Sequence, residues 1–465
     1  MSFTTDTGAQ TRIDATHWQQ RLSTLAAKYK VPGATLGILR LGEDPVFAHH
    51  GILNVRTGVE TTDDSVFQIG SISKVWTTTA VMVLVDRGLL DLDAPITTYV
   101  PEFRASDPEV TATVTMRHLL SHTSGIDGDV FTDTGRGDDC LEKYVAHLDG
   151  VAQNHPLGVT MSYGNSGFVL AGRVIEKITG TTWDQAMRDL VYTPLGLGYT
   201  TTLPEETIMY AAASGHTVDD DGTHLAPAWI LPRSMGPAGL ISSRAADVLA
   251  FARMHLEGGV AADGTRVLSE RSVAQMQERQ VDMPNPYTLG DAWGVGWILF
   301  DWSGHRLYGH DGNTIGQSAF LRILPEAGLA VTLLTNGGNT RDLYRELYDE
   351  VFQELAGVAM PASFAPPAVP YSPDLSPFVG TYDRAGVRTE VYEQDGSLWM
   401  RMTQTGPLAE LDPHPVEEYP LVPVRENEFA LQLKDSENWE AVVFYRLPTG
   451  EQYVHFGVRA TPKAA

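Results

Sequence analysis

The chain has 465 residues, with 33 Lys and Arg against 58 Asp and Glu, a formal net charge of −25. At about 150 residues per domain two or three domains are expected, and the acidic balance disfavours nucleic acid and anionic membrane surfaces as partners. The single cysteine, Cys140, excludes an intramolecular disulfide and a Cys-based zinc cluster.

Residues 16–30 read as a helix. Asp14 or Thr16 is its cap, and Trp18, Leu22, Leu25 and Ala26 share one face. Two short strands follow, 34–39 and 45–48, with Gly42 and Asp44 at the turn. Residues 67–90 read as a loop entering a long apolar helix that stops near Gly88. Its aliphatic run, Val81 to Val85, is far short of the ~20 residues a membrane span needs. No basic start and apolar stretch opens the chain, so its first residues do not read as a secretory signal. A soluble, cytoplasmic protein is expected.

Residues 91–279 mix short helices with Gly-, Pro- and Thr-rich loops. Apolar strands at 320–324 and 329–335 flank a turn at Pro325 to Gly328. An amphipathic helix, 341–356, closes this part. Six prolines (Pro361, Pro366, Pro367, Pro370, Pro373 and Pro377) then mark a stiff linker. The expected division is 1–360, linker 361–377, and 378–465. In the last part Asp395-Gly396 signals a hairpin between 389–394 and 398–404. Runs at 429–433, 441–447 and 453–459 continue the series, so a small antiparallel barrel is expected.

The strongest chemical signal is Gly70-Ser71-Ile72-Ser73-Lys74 at the mouth of the apolar helix. Ser71 and Lys74 are three positions apart and share one helix face. A serine hydroxyl needs a base beside it. A lysine serves only as a neutral amine, which burial favours. Tyr163-Gly164-Asn165 stands before a helix running to Gly180. His310-Asp311-Gly312 follows the strand-like Leu307-Tyr308, in what reads as a Gly-rich loop.

In this order the three elements resemble the penicillin-binding-protein and class C β-lactamase superfamily of serine acyl enzymes. Phe67 to Gly70, Asp91 to Pro95, His118 to Gly125 and Gly236 to Leu240 fit the same resemblance, which spans about residues 18–356. It implies an α/β (α+β) β-lactamase/transpeptidase-like domain with an antiparallel sheet and a helical region, followed by a lipocalin-like β barrel. It also implies roles. Ser71 is the nucleophile. Lys74 and Tyr163 share the proton transfers, and which of them is the base stays open. Asn165 orients Lys74 and holds a substrate amide. His310 donates to Tyr163 or to substrate. The N–H groups of Ser71 and Asn313 form the oxyanion hole. No metal or other cofactor is implied.

His310 stands where many relatives have lysine. That weakens the case for a β-lactam carboxylate as ligand. His118 and His122 have metal-ligand spacing, but the resemblance makes them structural. Trp293 and Trp297 read as core packing, and Asp138 and Asp139 as a solvated face. Gly312, Trp229 and Arg459 are candidate substrate-binding residues. Trp229 sits in a Pro-rich loop, and the Arg459 guanidinium offers five donors for a peptide carboxylate or carbonyl.

Residues 66–71 and 132–140, with the appended β domain, look like the stand-alone penicillin-binding-protein-type thioesterases. Those enzymes release non-ribosomal peptides from a carrier protein by head-to-tail cyclisation, favouring a D-residue at the acyl end. The resemblance therefore implies a peptidyl thioester on a carrier protein as partner. The alternative is a D-stereospecific aminopeptidase, amidase or carboxylesterase, in which water resolves the same acyl enzyme. β-Lactamase activity is less favoured.

Overall fold

The computed structural model describes residues 12–464, apart from residues 220, 370, 406–408, 410–413 and 434–437. The first residues, Pro370 and Ala465 of the sequence reading lie outside the described part.

The helix Ala15–Lys28 begins at Asp14. Its carboxylate accepts from the N–H groups of Thr16 and His17 at 2.9 and 3.2 Å, so Asp14 and not Thr16 is the cap. Its buried face is Trp18, Leu22, Leu25 and Ala26. This face covers an eight-stranded antiparallel sheet, whose spatial order is Val46–Gly51, Gly33–Arg40, Leu329–Thr335, Ser318–Leu324, His305–Asn313, Ile298–Trp302, Ala292–Trp293 and Val281–Asp282. Every residue of Gly33–Arg40 and of Leu329–Thr335 is buried. Such strands need cover on both faces. Ala15–Lys28 and Thr340–Ala356 supply one side. Ala245–Leu256 and the helical region behind it supply the other.

The helical region centres on Ser73–Asp86, whose residues from Ser73 to Leu84 are all buried. A helix apolar all round can only lie inside. A 3₁₀ turn, Gly70–Ile72, delivers the chain into it. Asn165–Thr179 packs beside it and ends at Gly180, as the sequence predicts.

Residues expected as a Gly-rich loop are instead the end of a strand. His310 to Asn313 pair with Leu321 to Ser318 in the sheet. The glycines mark close backbone approach rather than a turn.

The Pro-rich segment lies against the body. Phe364 meets Tyr287 at a ring distance of 4.5 Å, and the Pro361 carbonyl accepts from Arg345 at 2.9 Å. Beyond it, eight strands from Gly380–Arg384 to Arg459–Pro462 each pair antiparallel with the next. A bridge from Tyr382 to Lys463 and the Ala464 N–H on the Thr381 carbonyl, at 2.7 Å, bring the first and last strands together in a nearly closed barrel. Asp395 and Gly396 both have positive φ, 53° and 75°, as a tight hairpin of this type requires.

The barrel is fastened to the catalytic body by backbone and side chain alike. The Tyr453 hydroxyl donates to the Asn154 carbonyl at 2.9 Å, and the Ala460 N–H to the Ser162 hydroxyl at 3.2 Å. The Tyr163 N–H donates to the Val458 carbonyl at 2.9 Å. Inside the barrel Phe444 is 1% exposed, with its ring against Phe378, Tyr382 and Phe429. Phe444→Ala is expected to cost about 3–5 kcal/mol, read as a lowered denaturant midpoint for the transition that reports the barrel.

Candidate active site

The 3₁₀ turn puts Ser71 at the edge of a cavity of about 490 Å³, and the first helical turn places Lys74 beneath it. Lys74 is 0% exposed. Its Nζ lies 3.0 Å from Ser71 Oγ, 2.7 Å from Asn165 Oδ1 and 2.7 Å from the Ala238 carbonyl. The last two atoms only accept, so they take two N–H bonds. The remaining tetrahedral position faces Ser71. Burial, helped by Arg459 and opposed by Asp129, holds the Lys74 pKa well below the ordinary lysine range. An amine that has lost its proton there directs its lone pair at the serine hydroxyl.

Tyr163 approaches from the other side. Burial pushes its phenol up, against the hydrogen bond with Ser71 and the field of Arg459. It is a proton donor at neutral pH. Its ring is clamped against His122 at 4.3 Å, with Trp293 edge-on at 5.7 Å. The His122 Nδ1 accepts from the Gly164 N–H at 2.9 Å. His118 bonds Thr115 at the start of its own helix. The two histidines thus hold backbone and ring in place.

His310 is 1% exposed, and its Nδ1 donates to the Asp311 carbonyl at 2.6 Å. Its Nε2 has no hydrogen-bond partner among the described residues, so of the two expected acceptors Tyr163 is not the one engaged here. Burial, with Lys74 nearby, lowers its pKa to about 3, so it carries no charge. Asp311, the next residue, turns toward the cavity instead. Its oxygens lie 2.5 Å from Arg322 and 3.0 Å from Arg341.

Gly312 does not line the cavity. A Cβ there would lie 1.9 Å from the Ile69 carbonyl and 2.9 Å from the Ser71 nitrogen. Its bare backbone lets the sheet edge press against the nucleophile turn. The converse holds at Gly70, whose added Cβ would lie 2.6 Å from the Asn313 nitrogen. Ser71 and Asn313 are brought side by side at this contact and both border the cavity.

Trp229 does not border this cavity either. Its indole N–H donates to the Ala213 carbonyl at 2.9 Å, and Leu231 from the same loop takes its place at the wall. Arg459 does border it, with its guanidinium carbon 5.0 Å from the Tyr163 ring centre. Its Nε and Nη2 are spent on Asp129, at 3.0 and 2.7 Å, and Nη1 on the Gly457 carbonyl at 2.9 Å. Asp129 was not singled out by sequence. It also bonds Arg384 and lies 3.4 Å from the Asn165 amide nitrogen. Burial would raise its carboxyl, but Arg459 and Arg384 outweigh that and hold it low. Only the acidic Asp127-Gly128-Asp129 run after Gly125 hinted at it. A second cavity, of about 400 Å³ at the open end of the barrel, shares Phe131, Gly457 and Arg459 with the first.

Comparison with known proteins shows the family. The beta-lactamase family profile matches residues 18–355. The chain belongs to the beta-lactamase family. It is 47% identical over 378 residues to penicillin-binding protein 4 of Amycolatopsis lactamdurans, covering 80% of this chain and 99% of that one. The crystal structure of SurE superposes with a TM-score of 0.77 at 27% identity, over 97% of this chain and 99% of SurE. SurE with D-Leu gives 0.74 at 26%, with the same coverage. A D-stereospecific amidohydrolase from Streptomyces sp. gives 0.58 at 26%, over 75% of this chain and 100% of its own.

Two outcomes are expected from this geometry. Gly312→Ala should lower turnover by about 100-fold, as loss of an oxyanion donor does, measured on any ester the wild type cleaves. The ascending limb of kcat/KM against pH should lie well below the ordinary lysine pKa, because the active amine is the neutral form. In Arg459→Gln it should move to higher pH. Removing the cation relieves Lys74 of repulsion and leaves Asp129 less neutralised, and both changes favour the ammonium.

Proposed function

We propose that this protein is a serine acyl enzyme that takes a peptidyl group from a carrier-protein thioester and releases it by head-to-tail lactam formation, with a D-residue at the acyl end. The observation that carries the reading is the cavity over Ser71. Its walls come from both the catalytic body and the barrel, with Gly457, Val458 and Arg459 closing one side. An ester held there is shielded from water on the side where an amine must approach. The likeness to SurE, one of whose structures holds D-Leu, extends over 97% of the chain and so includes the barrel. The Streptomyces amidohydrolase matches only 75% of this chain at its full length.

In the first half-reaction Lys74 takes the Ser71 proton as Oγ attacks the thioester carbonyl. The N–H groups of Ser71 and Asn313 receive the oxyanion, a charge that exists only as the barrier is crossed. Tyr163 donates its proton to the departing thiolate. The Lys74 ammonium then returns a proton to the phenolate, and both groups are restored. In the second half the neutral amino terminus attacks the ester carbon. Its surplus proton passes to Lys74, which delivers it to Ser71 Oγ as that oxygen leaves. Both reacting ends are held in one molecule, so the step is effectively unimolecular.

A hydrolytic reading uses the same groups with water as the second nucleophile. The two separate by product mass. A peptidyl N-acetylcysteamine thioester ending in a D-residue is expected to give a product one water lighter than the linear acid. Linear acid as the sole product would turn the assignment to a D-specific hydrolase. Ser71→Ala should abolish either product, and Lys74→Ala nearly so. A fluorophosphonate probe should label the wild type and not Ser71→Ala.

A further inference from the structure

Among the described residues that line the cavity over Ser71 there are two carboxylates, Asp311 and Glu440, and two guanidinium groups, Arg341 and Arg459. Three of these four are already paired. Asp311 has Arg322 on one oxygen and Arg341 on the other. Arg459 has Asp129. Arg341 spends its second terminal nitrogen on the Thr288 carbonyl at 2.5 Å.

Glu440 is the exception. It lies on the barrel strand Trp439–Arg446 and is half-buried. Its carboxylate makes no hydrogen bond or ion pair with another described residue. Its place is nevertheless fixed. Asn285 donates to the Ala441 carbonyl at 2.8 Å, and the Asn438 amide bonds Asp342. Two bonds to the catalytic body thus flank it within three positions of chain. Burial pushes its carboxyl up, and Arg341 and Arg345 oppose this from a longer range. Neither supplies a donor, because Arg345 is turned to the Pro361 carbonyl.

A half-buried carboxylate with no protein donor is left to water and can exchange it for a donor on a ligand. The wall it stands on faces the cavity over Ser71, where a substrate can bring that donor. The reaction proposed above needs a second group there, the amino terminus of the peptide. At neutral pH that group is largely an ammonium, with an ordinary pKa of about 7.7–8.0.

We propose that Glu440 receives the cationic amino terminus of the peptidyl substrate, so that both ends of the peptide enter one cavity before acyl transfer. The inference rests on the cyclase reading. It makes Glu440 a specificity-determining residue contributed by the barrel and gives that domain a chemical part in choosing the nucleophile. A partly exposed pair is weak, so the amine is free to lose its proton and leave for the ester carbon.

The test uses the full-length enzyme and three thioesters of one peptide: free amino terminus, N-acetylated, and N-acetylated with lysine as first residue. Thiol release gives kcat/KM for each with wild type, E440Q and E440D. The expected result is that the preference for the free amino terminus over its acetylated twin falls about three- to fivefold in E440Q. E440D should keep most of it, which also shows that the fold tolerates change there. An unchanged preference in E440Q overturns the inference. So does a loss confined to the lysine substrate, which would assign Glu440 to a side-chain ammonium. Failure of the cyclase reading shows separately, as linear acid alone from the wild type.

Discussion

The Lys74 amine lies out of water with two carbonyl oxygens and one hydroxyl around it. Burial in such a place disfavours the ammonium and holds the pKa well below the ordinary lysine range. The surroundings of the site exist to keep it so. The helix that carries Lys74 is apolar on every face and can only be buried. Asn165 opens a second helix against it, and the Gly236 to Gly239 turn brings the Ala238 carbonyl from a third direction. Each acceptor fixes one N–H and so fixes where the lone pair points. Misplacing any of the three would leave the lysine buried but aimed away from Ser71.

Around this lysine lies a shell of paired charge. Asp129 sits between Arg459 and Arg384, and the buried Asp311 between Arg322 and Arg341. Ion pairs taken out of water recover their solvation cost only with good geometry. Here two arginines surround each carboxylate, so every carboxylate oxygen has a donor. The result is a fixed field on both sides of the catalytic dyad. Arg459 and Asp129 act on Lys74 with opposite sign. Burial therefore remains the main cause of the lowered lysine pKa, with the two charges working against each other.

Much of this was legible in the sequence, and for local reasons. Ser71 and Lys74 share a helix face by spacing, and Asn165 falls at a helix start that the Gly180 stop helps to define. Asp395-Gly396 can do little but turn. What sequence hid is what depends on distant partners. His310 to Asn313 read as a loop because glycines usually break strands. Here they admit the Ile69 carbonyl and the neighbouring strand. Arg459 was noticed for its donors, but those donors belong to Asp129, 330 positions earlier in the chain. Glu440 has no local signature, since its meaning comes from the cavity that another part of the chain builds. Trp229 drew attention by size, but its indole is tied to a backbone carbonyl while Leu231 does the lining.

Val458 adopts φ of 60°, a costly choice for a β-branched residue. Its side chain joins the core of the catalytic body, and its carbonyl receives the Tyr163 N–H. This hairpin tip leaves the ribosome well after residues 1–360 are outside. Domains commonly fold as they emerge. A growing chain can therefore assemble the sheet and the buried lysine while its cleft still lacks one wall and Tyr163 still lacks its backbone anchor. The cleft is completed only when this turn of the barrel docks. Until then Ser71 stands without the wall that Gly457, Val458 and Arg459 supply.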